Sequence, residues 1–530
     1  MPSARQSRRA LILEVGLPGG ILLLALLLRL WHLDAVTDNY DEGVYWASLR
    51  AMREGYGLFT PVFSSQPPFF LLSLYPLVAL LGPTLYAARL GIVGFSLISV
   101  LAMYVLARRL GGPWAGGIAA LLLACDYLYL IQSQTVQAEA PSVALMIVAL
   151  AAASYANRYP WQAAGISGIA TALAILEKLF AVAAIPPIAV LFAGQLMAFE
   201  RALPGAERPA TPGAGLSGRL RLPQRATIRR AGLLAGTYLL GLVLAGLLVM
   251  LPYLGQLQTA YQQVIAFHLA ADQSFASTTS QNPSILLGAH PMYPLAVLAL
   301  LGLMIGLLRR RWHVLTAGAW ILAAFIILLR QAPLFTHHLV LLIPGLALSA
   351  AIGLAPAGWR LKPRLESPKG AQSHPARAET YPRAIWGRQA LLVGLPMLLV
   401  LGVIVYDLRD VRNYPLGPVA NAAQISQVAD DLAGFTTPTQ QVITDDQYIA
   451  MLANRDVPPA LVDTSNVRIT TGYLTTAQVE AIAEQPQIGA ILFYSGRFDE
   501  LSGFRAWVTQ HFQLARDYGN GRDLYVRIAS

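Results

Sequence analysis

Hydrophobic positions in this chain fall into long unbroken runs instead of alternating with polar ones. Runs near 20 residues recur, the length that crosses ~30 Å of hydrocarbon. They read as membrane helices over roughly 11–31, 86–107, 114–131, 140–156, 161–176, 179–199, 231–251, 293–308, 312–330, 336–356 and 389–406. Between the first two runs, over 32–85, the pattern changes. "DEGVYWASLRAMREG" has helical spacing, and "PPFFLLSLYPLVALLG" is apolar but short for a span. Both suit helices lying at the membrane interface. After 406 the apolar stretches shorten: "QQVITDD", "PPALVD" and "IGAILFYS" read as buried strands. "TTAQVEAIAEQ" reads as a helix behind a Thr cap, and "RDYGNGRDLYVRI" as a hairpin. The pattern predicts a polytopic α-helical membrane protein of about eleven spans, residues 1–413, followed by a small soluble α/β domain, residues 414–530. No internal repeat appears, which weighs against a transporter built on repeated halves.

Composition agrees with the pattern. Of 530 residues, 55% are hydrophobic and 12% charged, with a mean hydropathy of +0.52; soluble domains carry about 25% charged residues. The first run, "GLPGGILLLALLLRLW", lacks a small-residue cleavage site and is read as a span, not a signal peptide.

A net charge of +10 resembles a nucleic-acid signal until the charges are placed. Arg5, Arg8, Arg9, Arg108, Arg109, Arg158 and Arg309 to Arg311 share alternate loops with basic residues of 200–230 and 357–388, and together these hold 23 of the 38 Lys and Arg. Such bias marks the cytoplasmic side. It predicts a multi-pass protein of the cytoplasmic membrane with its N-terminus inside and the C-terminal domain outside. No nucleic-acid partner is expected. The two Pro-, Gly- and Arg-rich loops, "PGAERPATPGAGLSGRLRLPQ" and "KPRLESPKGAQSHPARAETYPR", read as flexible connectors. The single cysteine, Cys125, leaves no intrachain disulfide and reads as a packing residue.

With that topology, ionisable residues from four places gather at the outer face. They are Asp41 and Glu42 in "TDNYDEGVYWA", Glu139 in "QSQTVQAEAPS", Glu177 and Lys178 in "LEKLF", and Arg330, His337 and His338 in "LLRQAPLFTHHLVLLIP". Charges at membrane depth are costly, and so are functional candidates. Plainer roles stand beside these. Asp34 and Asp38 fit helix caps, Lys178 fits an interfacial snorkelling residue, and the His pair fits hydrogen-bonded interfacial residues. Two histidines with acids also permit a divalent metal, but neighbours on a helix point in different directions, so no metal or other cofactor is favoured. Asp430, Asp431, Asp445 and Asp446 read as solvated surface and cap residues, which leaves the C-terminal domain without a catalytic centre.

"YDEGVYWASLRAMREGYGLF" followed by "QPPFFLLSLYPLVALLGPTLYAARL" resembles the first outer loop of membrane-embedded GT-C glycosyltransferases. The branch is that of protein O-mannosyltransferases and the aminoarabinose transferases acting on lipid A. The resemblance continues through "QAEAPSVALMIVALAAASY", "LAILEKLFAVAAIPPIAVL" and "THHLVLLIPGLALSAA", over about 30–355. It implies a GT-C-like fold, with Asp41 of the Asp-Glu pair as catalytic carboxylate. Glu139 would support it or place the acceptor, and Lys178 would lie near the donor phosphate. Tyr45, Gln66, Pro67 and Pro68 belong to the substrate loop that the resemblance implies. Relatives often have Gly after the Lys, where this chain has Leu179, and a basic residue before the Pro pair, where it has Gln66.

The implied donor is a sugar on a polyprenyl phosphate, and the implied acceptor a hydroxyl of a protein, lipid or glycan. A phosphate leaving group needs positive charge, which Lys178, Arg330, His337 and His338 would supply. The acceptor needs one base, and one base opposite the leaving group predicts inversion. The competing readings are a transporter or flippase that uses the acids as an ion relay, and an assembly protein without catalysis.

Overall fold

The computed structural model describes residues 15–203, 224–356, 383–413 and 419–528. The Arg cluster before residue 10, most of both Arg-rich loops and the expected boundary at 413/414 lie outside them. Within them the principal helices are α1 (Leu17–Leu30), α2 (Tyr40–Arg53), α3 (Phe69–Leu81), α4 (Leu85–Gly111), α5 (Pro113–Cys125), α6 (Glu139–Ala153), α7 (Pro160–Glu177) and α8 (Ile185–Ala202). There follow α9 (Arg225–Met250), α10 (Tyr293–Leu308), α11 (Val314–Arg330), α12 (Ile343–Leu354) and α13 (Arg383–Asn413). Among the described residues, five helical runs are long and apolar enough to span a bilayer, and five more apolar helices are shorter. This is a multi-pass membrane protein.

Local chemistry explains where the runs break. The expected span 114–131 is cut at Asp126, whose side chain accepts from the Tyr129 backbone N–H at 2.8 Å and starts a new helical turn. The expected span 231–251 instead opens a 50-residue helical run, Arg225–Ser274, containing a π-helical turn at Gln262–Ala266. The expected helix in "PPFFLLSLYPLVALLG" is α3, only 13 residues long and containing Pro76.

Close helix packing relies on glycine. A Cβ at Gly168 of α7 would lie 1.9 Å from the Tyr238 carbonyl oxygen, and one at Gly353 of α12 would lie 1.8 Å from that of Gly302. Small residues let membrane helices approach in this way. Cys125 is buried and free.

The C-terminal segment holds α14 (Ala422–Phe435), β3 (Gln441–Thr444), α15 (Gln447–Leu452), α16 (Thr476–Ala483), β4 (Ile488–Phe493), α17 (Phe504–His511), β5 (Phe512–Asp517) and β6 (Asp523–Arg527). β1 (Gly57–Leu58) and β2 (Pro61–Val62) are a separate two-residue pairing between α2 and α3. The four-stranded sheet runs β3-β4-β6-β5, with β3 parallel to β4 and the other pairs antiparallel. The expected strand in "PPALVD" is a 3-10 turn, Pro459–Leu461, because prolines donate nothing to a ladder. The Thr475 cap of α16 and the β5–β6 hairpin, with positive φ at Gly519, Asn520 and Gly521, occur as the pattern predicted.

This segment does not stand apart. One hydrophobic core joins Trp46 and Leu49 of α2 and Phe70 and Leu74 of α3 to Val442, Tyr448, Ile449 and Leu492. At Gly43 the backbones nearly touch: a Cβ there would lie 2.3 Å from the Tyr448 nitrogen. The Tyr448 hydroxyl accepts from Thr37 N–H at 2.9 Å, and Arg50 pairs with Asp456. The helix that begins with the Asp-Glu pair is thus clamped by residues some 400 positions later.

Candidate active site

α2 starts at an Asn39 cap, whose side chain accepts from the Glu42 N–H at 3.1 Å. That turn sends adjacent carboxylates in different directions. Glu42 turns inward and is fully buried. Arg89 of α4 grips it with Nε on Oε1 at 2.7 Å and Nη2 on Oε2 at 2.6 Å. Thr37 Oγ1 and the Val136 N–H complete its hydrogen bonds. Glu42, a catalytic candidate together with Asp41, thus has every lone-pair direction engaged in holding three segments together.

Asp41 faces a cavity of about 460 Å³. Its Oδ2 accepts from Gln137 Nε2 at 2.8 Å, and Oδ1 has no hydrogen-bond partner among the described residues. Tyr45 and Gln66 line the same cavity. Burial, with Asp41, Glu139 and Asp463 nearby, pushes the Tyr45 hydroxyl well above its usual range, so it remains a neutral donor.

The cavity also collects Lys178, His337 and His338. All three converge on one carboxylate oxygen, Oε1 of Glu139: Lys178 Nζ in a buried ion pair, His337 Nε2 at 3.5 Å and His338 Nε2 at 3.7 Å. The expectation that the adjacent histidines diverge is corrected. They sit in a tight 3-10 turn, Thr336–Leu342, with ring centroids 4.5 Å apart. Glu139, His337 and His338 place their ligand atoms within 4.8 Å of one another, a donor set that suits a divalent ion. The Lys178 ammonium occupies the same oxygen and competes for it.

Other candidates fall elsewhere. Arg330 ends α11, exposed, and does not line the cavity, although Gln331, Ala332 and Pro333 do. Pro67 and Pro68 are buried behind it, where Pro68 precedes α3. Glu177 is buried with neither oxygen hydrogen-bonded.

The reading of the C-terminal acids as solvated is corrected for two of the four. Asp445 is fully buried and accepts the Tyr494, Ser495 and Phe498 N–H groups. Asp446 is 6% exposed. Burial, then Asp445, push its carboxyl up to about 7. The same segment reaches the cavity itself through Asp463 and Arg497. The Arg497 guanidinium lies 3.6 Å above the Tyr40 ring, and the Tyr40 hydroxyl hydrogen-bonds Asp463 and the Thr464 N–H.

Sequence reasoning missed Gln137, His268, Asp463 and Arg497. Gln137 lies two residues before Glu139 and was within reach of it. His268 follows the π-helical turn, which brings its ring to the cavity with Nδ1 2.6 Å from the Val264 carbonyl oxygen. No periodic pattern marks it.

The helical membrane body, with the C-terminal segment docked against the helix that carries Asp41, has the fold of solved structures of ArnT. Residues 65–201 match the family model described as dolichyl-phosphate-mannose-protein mannosyltransferase. The solved structure of ArnT from Cupriavidus metallidurans bound to undecaprenyl phosphate is similar over 98% of this chain and 99% of that one, with a TM-score of 0.63 at 16% identity. ArnT in the apo state is similar over 96% and 97%, with a TM-score of 0.60 at 17% identity. No curated protein matches the chain.

Proposed function

We propose that this protein is an inverting glycosyltransferase that moves a sugar from a polyprenyl-phosphate donor to an acceptor hydroxyl at the outer face of the cytoplasmic membrane, with the C-terminal segment extracytoplasmic. The observation that carries it is a single cavity holding Asp41, with one carboxylate oxygen unengaged, and the Lys178, His337 and His338 cluster. The partial family match and the whole-chain likeness to a structure bound to undecaprenyl phosphate support it.

In the reaction the acceptor oxygen attacks the anomeric carbon, the bond from that carbon to the phosphate oxygen breaks, and Asp41 takes the acceptor proton. The leaving polyprenyl phosphate departs as an anion, so no general acid is needed. Lys178 and the histidines stabilise its growing charge inside a site of low dielectric. The prenyl tail stays among the apolar helices. General-base assistance is worth about 10²–10⁴-fold, and no step in this scheme draws on a metal.

The test is mass spectrometry of products after incubation with defined polyprenyl-phosphate sugars and cell-envelope extract. Transfer by the wild type and its loss in Asp41→Asn is expected. No transfer from any donor, or an Asn variant that keeps more than about a tenth of the rate, overturns the proposal.

A further inference from the structure

Gln137 is 2% exposed and lines the cavity, yet only half of its amide is engaged. Nε2 donates to Asp41 Oδ2 at 2.8 Å. Oε1 is buried with no hydrogen-bond partner among the described residues. The amide cannot be turned round, because an ionised carboxylate only accepts and would then face a second oxygen. A buried carbonyl oxygen without a donor has given up its hydrogen bonds to water unrepaid, and that loss is recovered only when a donor arrives.

We infer that Gln137 positions Asp41 and completes its own hydrogen bonding with a hydroxyl or N–H of the bound substrate. This rests on the glycosyltransferase reading for the identity of that substrate, but not for the contact with Asp41. Two consequences follow from the geometry. The Gln137 N–H fixes one Asp41 oxygen, leaving Oδ1 as the base. Gln137 lines the same cavity as that base, so the group its carbonyl receives belongs to a substrate whose reacting hydroxyl has a second hydrogen-bond donor close by. Loop 133–138 supplies the rigidity. Gln134 Nε2 donates to the Arg29 and Trp31 carbonyls at 2.8 and 2.9 Å, and the Val136 N–H is held by Glu42.

The test uses full-length Gln137→Glu and Gln137→Leu proteins purified beside the wild type. Glu has the same shape but replaces the donor with a second negative charge, which raises the pKa of its neighbour. Infrared titration, with the spectrum of the same protein carrying Asp41→Asn subtracted, reads the Asp41 carboxyl without any substrate. In Gln137→Glu that carboxyl is expected to titrate about one pH unit or more above the wild type. Gln137→Leu, which has neither donor nor acceptor, is expected to lose at least about tenfold in transfer from undecaprenyl-phosphate mannose or aminoarabinose at every pH, whichever donor the wild type uses. Its thermal stabilisation by undecaprenyl phosphate should be unchanged, because Lys178 is intact. An Asp41 titration in Gln137→Glu that superimposes on the wild type overturns the positioning role. Full transfer by Gln137→Leu overturns the substrate contact. If the wild type transfers from no donor, the functional proposal fails while the infrared titration still decides the positioning role.

Discussion

Glu42 and Arg89 form a two-pronged ion pair, 0% and 2% exposed, directly beside the residue proposed as the base. Removing one partner leaves an uncompensated buried charge, a loss of about 3–5 kcal/mol. Glu42→Ala and Arg89→Leu are therefore expected to lower thermal stability and yield sharply, whereas Asp41→Asn leaves both unchanged. Melting curves of the three purified variants check this. Equal stability of all three would show that the pair does not hold the loop.

The two cations once grouped for the donor phosphate now separate. Lys178→Ala is expected to weaken undecaprenyl phosphate binding about 10–100-fold, since a hydrogen bond to a charged group is worth about 1.5–3 kcal/mol. Arg330→Ala, altered at an exposed helix end outside the cavity, should bind as the wild type does. Titration of undecaprenyl phosphate against each protein distinguishes them, and the opposite ranking would move the phosphate.

Glu139, His337 and His338 suit a divalent ion, but Lys178 already neutralises Glu139. Prolonged EDTA dialysis should leave donor turnover within about twofold of the untreated protein, because the scheme stabilises phosphate with fixed cations. A loss restored by zinc alone would assign the trio to a metal.

Gly43 admits the Tyr448 backbone at a distance no side chain allows. Gly43→Leu is expected to part α2 from α15, lowering stability by at least about 1–3 kcal/mol through overpacking and abolishing transfer. Gly55→Ala on the same loop serves as a strain control, since nothing lies within 4 Å of its Cβ position but its φ is +97°. Limited proteolysis of the C-terminal segment reports the parting.

Asp446 faces Asp445, Asp38 and the Arg497 guanidinium, and its carboxyl is raised from 3.8 to about 7. The folded protein holds this proton more tightly than the unfolded chain does. Its contribution to stability is therefore greatest below about pH 4 and declines as pH rises toward 7. Asp446→Asn keeps the side-chain shape at the N-cap position of α15, where no side-chain cap bond forms, and removes the titration. It should melt about 2 °C or more above the wild type at pH 7.5, with the gain vanishing near pH 4. A pH-independent difference would contradict the assignment.

Much of the membrane body was legible because a hydrocarbon solvent imposes long apolar runs, and α4, α7 and α10 follow them closely. Asp41 and Lys178 stood out because charge is rare in such sequence. What the chain hid depends on direction and distance. Glu42 and Asp41 are neighbours in sequence, yet one is locked against Arg89 and the other faces the cavity. The helical turn after Asn39 decides that, and composition does not record it. Arg330 looked equivalent to Lys178 until the end of α11 turned it outward. Asp463 and Arg497 belong to a segment whose docking rests on Gly43 and Tyr448, a pairing no local pattern announces.

That docking also orders events during synthesis. The carboxylate proposed as the base emerges among the first fifty residues, but the wall formed by Asp463 and Arg497 is translated more than 400 residues later. Until then α2 lacks the partner that covers Trp46 and Gly43. A nascent chain already threaded into the membrane therefore has no enclosed reaction chamber. The cavity is complete only once the ribosome has passed the segment that carries Asp463 and Arg497.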